Sequence, residues 1–215
     1  MMKKYFAESL GAFALVFAGT GSVVINDITG GTVSHVGIAL TFGLIVMAMI
    51  YSIGDISGAH INPAVTIGFF VARLFKGKDV TPYIACQILG AISASGVLYL
   101  MFPEHKTLGA TLPEGPLLRS FFLEIILTWL LMFVVLRVST GSKEKGTMAG
   151  IAIGGTVALE ALFAGPISGA SMNPARSIAP AIISGEIYHL WIYIAAPVLG
   201  SILAVLCCWN IKEHI

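Results

Sequence analysis

The tripeptide Asn-Pro-Ala occurs twice in the chain, at Asn62-Pro63-Ala64 and at Asn173-Pro174-Ala175, and Arg176 directly follows the second copy. An asparagine amide offers N–H donors and a carbonyl acceptor, so a pair of them can hold and orient a neutral oxygen compound without breaking a bond in it. Glu8, Glu124, Glu160 and His60 are further polar residues in apolar surroundings. They supply no nucleophile–base pair, no paired catalytic carboxylates and no metal-ligand cluster. His60 would need further ligands to hold a metal. Cys86, Cys207 and Cys208 lack metal-ligand spacing, fall in apolar runs and read as packing residues. Hydrogen bonding and electrostatics are the chemistry on offer, so neither an enzyme nor a cofactor nor a metal is expected.

The elements that must position these residues are membrane spans. Of the 215 residues 57% are hydrophobic and only 11% charged, with a mean hydropathy of +0.92, which is wrong for a soluble globule. Ser9 to Asn26, Val36 to Gly54, Val80 to Pro103 and Leu190 to Ile211 each lack Asp, Glu, Lys and Arg. Leu117 to Val138 and Gly146 to Ala164 each hold one carboxylate, Glu124 and Glu160. A spanning helix needs about 20 mostly apolar residues, so six spans are predicted. Met1 to Gly21 also resembles a cleaved secretory signal, with Lys3 and Lys4 ahead of an apolar run, but Glu8 within the run argues against it. A net charge of +1 without a basic cluster leaves no footprint for nucleic acid.

Cations set the orientation. Lys3, Lys4, Arg73, Lys76, Lys78, Arg137, Lys143, Lys145 and Lys212 fall on one side, and only Lys106 and Arg119 flank spans on the other. Both termini are therefore expected to be cytoplasmic in a multi-pass protein of the cell membrane.

The chain also repeats itself. SGAHINPAVT from Ser57 matches SGASMNPARS from Ser168 at six of ten positions, at an offset of 111. Gly37-Ile38-Ala39 recurs as Gly150-Ile151-Ala152, and YIACQILGA from Tyr83 recurs as YIAAPVLGS from Tyr193. A single domain over 1–215 would thus hold a first repeat at 1–103 and a second at 117–211. Three spans per repeat is an odd number, so the second copy must be inverted, and inverted repeats place their site near the midplane on partial helices. HINPAVTIGFFVARLF and SMNPARSIAPAIISG are apolar but too short to cross, and are read as re-entrant half-helices. Pro63 and Pro174 suit the first turn of a helix, which makes Asn62 and Asn173 the N-caps. The preceding Ser-Gly-Ala segments are expected to be extended and to line a watery path. Two such helices meeting at their N-termini would each direct roughly half a positive charge at the centre and repel cations.

Paired Asn-Pro-Ala motifs, the Arg after the second, six spans and inverted halves together resemble the aquaporins over essentially the whole chain. That resemblance implies an all-α membrane protein with six transmembrane helices and two re-entrant half-helices, passing water and small neutral solutes but neither protons nor ions. It implies a homotetramer in the lipid bilayer with one pore per subunit. It places a selectivity filter at Phe42, Ala161, Ala170 and Arg176, and has Glu8 and Glu124 accept hydrogen bonds from the re-entrant loop backbones. Water-selective members carry His where Ala161 stands, so the filter reads as wide. Ser177 stands where the typical glycerol facilitator has Asp. Ala181, Tyr193, Ile194 and AGPISGASMNPARS from Ala164 are similar to the nodulin-26-like branch, which is associated with water, glycerol, urea and uncharged hydroxides of arsenic, boron or silicon. That branch usually has Trp where this chain has Phe42.

His60, two residues before Asn62, is expected to brace the first loop, with a pH-dependent gate as a further role. Glu160 is expected to pair with a cation or with loop backbone, because an unpaired charge at that depth is unfavourable. Gly11, Gly19, Gly90, Ala94, Gly150, Gly154, Ala158 and Gly200 allow close helix approach. The segment from Pro103 to Pro116 reads as an ordered connector. A secondary transporter is the competing class, since it also uses inverted repeats, but it would need a coupling-ion site or proton relay for which only Glu160 is spare.

Overall fold

A computed structural model describes residues 2–140 and 147–211. Lys143, Lys145 and Lys212, three of the orienting cations, lie outside the described residues. Six helices are long and apolar enough to cross a membrane: α1 (Met2–Ile28), α2 (Ser34–Ser57), α4 (Gly77–Met101), α5 (Leu117–Ser139), α6 (Ala149–Ser168) and α8 (Leu190–Ile211). Between them sit two short helices, α3 (Pro63–Val71) and α7 (Pro174–Ser184), of 9 and 11 residues. Each starts with Pro in its first turn, where the missing N–H would have no intrahelical partner. Left-handed glycines stop α2 at Gly58, α6 at Gly169 and α7 at Gly185.

The chain segments pack in matched pairs. α1 lies along α4 and α5 along α8, α2 packs on α6 between the two sets, and the short helices cross over so that α3 rests on α8 and α7 on α4. Glycine permits the closest approaches: a Cβ at Gly90 would fall on the Ser9 carbonyl, and one at Gly200 on the Ile125 carbonyl. Gly43 and Gly154 similarly bring the backbones of α2 and α6 together.

Burial is inverted relative to a soluble protein. Phe6, Leu44, Leu100, Phe122 and Phe163 are exposed, whereas Glu8, Glu124 and Glu160 are fully buried. That pattern suits a lipid exterior and a polar interior. At one face Lys4 Nζ meets Asp79 at 2.8 Å and the Tyr5 hydroxyl donates to the same carboxylate at 2.7 Å, tying the start of α1 to the start of α4. At the other face the connector between α4 and α5 is ordered over α7. There the Glu114 N–H donates to the Ile167 carbonyl at 2.9 Å and the Thr111 hydroxyl to Ser177 Oγ at 2.7 Å.

Candidate functional site

The two short helices meet N-terminus to N-terminus through their caps. Asn62 Oδ1 accepts the Ala64 N–H at 2.8 Å, and Asn173 Oδ1 accepts those of Ala175 at 3.0 Å and Arg176 at 3.4 Å. Each amide also donates across the junction, Asn62 Nδ2 to the Met172 carbonyl at 2.8 Å and Asn173 Nδ2 to the Ile61 carbonyl at 3.0 Å. An asparagine amide has two N–H bonds, so one donor per residue remains for the cavity that both residues line.

The loops ahead of the caps are not extended strands. Gly58, Ala59 and Ile61 have φ of 87°, 47° and 44°, and Gly169, Ala170 and Met172 have 83°, 42° and 54°. Left-handed backbone costs a non-glycine residue about 1–2 kcal/mol, so something must hold it. In the first loop Glu8 accepts the His60 N–H at 2.9 Å and the Ile61 N–H at 2.7 Å. In the second, Glu124 accepts the N–H groups of Ser171 at 2.8 Å and Met172 at 2.9 Å. Each carboxylate thus grips consecutive amides of one strained turn.

Two partners of these carboxylates went unremarked in the sequence. Gln87 Nε2 lies 2.7 Å from Glu8 Oε2 and 3.0 Å from Thr66 Oγ1, and the Ser168 hydroxyl donates to Glu124 at 2.7 Å. An amide inside an apolar span was a readable signal for Gln87. Ser168 opens a repeated motif but looks like any small residue. His60 is buried, with Nδ1 3.1 Å from Thr66 Oγ1 and its ring stacked on Phe69 at 4.6 Å. Ser171 occupies the equivalent place and lies 2.5 Å from Ser177 Oγ.

A cavity of about 640 Å³ runs past these groups. At one end it is lined by Phe42, Ala161, Ala170 and Arg176, in the middle by Asn62 and Asn173, and at the far mouth by Tyr51, Asp55 and Thr147. Val46, Val65, Leu131, Val135 and Val157 form apolar wall. The Arg176 guanidinium stands 4.9 Å from the centre of the Phe42 ring, and its Nη1 donates to the Gly109 carbonyl at 2.7 Å. Gly19 leaves the space the Phe42 ring occupies, since a Cβ there would overlap it. Gly109 acts through its carbonyl, which no residue type announces, and sequence reading passed it over.

Glu160 departs from expectation. Neither of its carboxylate oxygens has a hydrogen-bond partner, and no cation lies within ion-pair distance among the described residues. It is fully buried, one residue along α6 from Ala161. α6 turns the smaller residue to the cavity and this one into the packing.

Six helices able to span a membrane around a polar-lined cavity, with two capped half-helices meeting inside it, have the architecture of a membrane channel. The Major intrinsic protein family matches residues 1–208, and the chain belongs to that family. It is similar to Aquaporin NIP1-1 of Oryza sativa subsp. japonica, at 48% identity over 94% of this chain and 71% of that one. Aquaporin NIP1-3 of the same plant is 50% identical over 93% and 70%. Nodulin-26 of Glycine max is 45% identical over 94% and 74%. The X-ray structure of the aquaglyceroporin from Plasmodium falciparum superposes with a TM-score of 0.86 at 26% identity, covering 98% of this chain and 96% of that one. The chain is therefore a multi-pass channel protein of the nodulin-26-like branch for water and small solutes, and not an enzyme.

Proposed function

We propose that the channel conducts glycerol and neutral solutes of similar size along with water, and that Phe42, Ala161, Ala170 and Arg176 are its selectivity filter. The observation that carries this reading is the make-up of that end of the cavity: an aromatic ring and a guanidinium on one side, and two methyl groups at the other positions. Glycerol has hydroxyls along one edge and carbon along the other. Arg176 and the Asn62 and Asn173 amides supply donors for the hydroxyls, and Phe42 with the aliphatic wall supplies an apolar track for the carbon. Urea and the neutral hydroxides of arsenic, boron and silicon fit the same description.

In this reading Asn62-Pro63-Ala64 and Asn173-Pro174-Ala175 form the centre of the pore. Two helix N-termini and Arg176 repel cations there, and water oriented by the paired amides does not relay protons. Glu8, Glu124 and His60 brace the loops. The channel is one domain over 1–215 built from inverted repeats at 1–103 and 117–211. It assembles as a homotetramer, as the family resemblance implies, in the cell membrane; cytoplasmic termini are supported by Lys3, Lys4, Arg73, Lys76, Lys78 and Arg137 in the terminus and loops of one side.

Stopped-flow light scattering on proteoliposomes tests the filter. Wild type should admit glycerol, and Ala161→His should lower glycerol permeability by roughly tenfold or more, a scale typical of pockets that discriminate by small changes in shape, while retaining water flow. Exclusion of glycerol by the wild type with water passing would make the protein a water-selective channel.

A further inference from the structure

The connector between α4 and α5 begins with a turn built on His105, and both ring nitrogens are engaged. Nε2 lies 3.2 Å from Asp27 Oδ2 near the end of α1, and Nδ1 accepts the Leu108 N–H at 3.0 Å. One tautomer satisfies both contacts: Nδ1 must be bare to accept, so Nε2 carries the hydrogen and donates to Asp27. The histidine side chain is only 8% exposed, against 52% for Asp27. The turn then passes through two left-handed residues, Leu108 at φ 50° and Gly109 at φ 73°, with the Leu108 side chain fully buried. Leu108 is strained there; His105 accepts its N–H, and the Ala110 N–H donates to the Thr107 carbonyl at 2.9 Å across the same turn. The next group along is the Gly109 carbonyl, which accepts from Arg176 Nη1 at 2.7 Å.

We propose that His105, in its neutral Nε2–H form, is a positioning residue for Arg176, and that a second proton on the ring releases the turn and lets the guanidinium close on the pore. The inference rests on Arg176 being a filter residue. A hydrogen on Nδ1 would face the Leu108 N–H, donor against donor, so that bond is lost. The contact to Asp27 becomes an ion pair, so the ring stays on α1 while the turn leaves it. The charged groups around the ring are Asp27 from α1 and Glu104 and Lys106 from the connector itself. Arg176 lies beyond the turn. Without the Gly109 acceptor the guanidinium keeps its contact with the Phe42 ring and shifts into the opening, which obstructs glycerol more than water.

The test is glycerol and water permeability of proteoliposomes, equal pH on both sides, taken from about pH 7.5 to about pH 5, the range in which histidine ordinarily changes charge. Wild-type glycerol permeability should fall reversibly by about fivefold, the scale of one net hydrogen bond, with a smaller fall for water. His105→Asn keeps a carbonyl acceptor for Leu108 and does not titrate, so its profile should be flat. Asp27→Asn removes the ring's carboxylate partner on α1, so its pH profile should differ from that of the wild type. A flat wild-type profile, a full fall in His105→Asn, or an unmoved profile in Asp27→Asn overturns the inference; the last decides alone if His105→Asn does not fold. Ala161→His measured alongside at neutral pH separates the two readings. If it leaves glycerol flux untouched, the filter assignment itself fails, and this inference with it.

Discussion

Three carboxylates are fully buried in spanning helices, yet they have different surroundings. Glu8 and Glu124 each accept two backbone N–H groups from a strained turn, whereas Glu160 accepts none. Replacing Glu8 by Gln turns one acceptor into a donor facing an N–H. The expected loss is about 2–3 kcal/mol, the worth of a hydrogen bond to a charged group with its partner left buried, read as a lower thermal midpoint in detergent together with reduced permeability. Glu160→Met should do the opposite. It removes a polar group with no protein partner and keeps the volume, so the thermal midpoint should hold or rise by the equivalent of about 1 kcal/mol or more; a marked drop would show that Glu160 has a partner outside the described residues.

At the scale of helices, the architecture depends on where backbones touch. The Gly90 contact with Ser9 and the Gly200 contact with Ile125 set the separation of α1 from α4 and of α5 from α8. The obstructing atoms are main-chain carbonyls, which cannot swing aside as a side chain would. Gly90→Ala and Gly200→Ala should therefore each cost about 1–3 kcal/mol, the usual penalty for overpacking, measured by thermal unfolding of the detergent-solubilised protein. Gly54→Ala, with nothing near the added Cβ, is the control and should be nearly neutral. The reading of small residues as packing sites anticipated Gly90 and Gly200 but missed Gly43 and Gly68, because a lone glycine in an apolar span does not say which of its neighbours is close.

For the whole molecule, the discriminating property is the form of the flux. An open pore does not alternate between two closed states, so glycerol flux should rise nearly linearly with its gradient and ignore imposed sodium, proton and voltage gradients. Saturation at modest concentration, or uphill movement driven by an ion gradient, would instead indicate a carrier. Glu160 was the one residue spare for coupling, and it is sealed in the helix packing away from the cavity lining.

The number of spans, the two half-helices and their caps were legible in the sequence because they depend on local rules. A run of apolar residues of sufficient length can cross, a shorter one cannot, and Asn before Pro at the head of an apolar run suits a helix start. The repeat of Ser-Gly-Ala and Asn-Pro-Ala marked both half-helices for the same reason. The tertiary structure alone decided which backbone groups meet which side chains. The left-handed turns ahead of each cap, the Gly109 carbonyl under Arg176, the engagement of both nitrogens of His105, and the isolation of Glu160 all depend on segments distant in the chain. Carbonyls and amides are the same at every residue, so their partners are set by how the helices pack and leave no mark in the order of side chains.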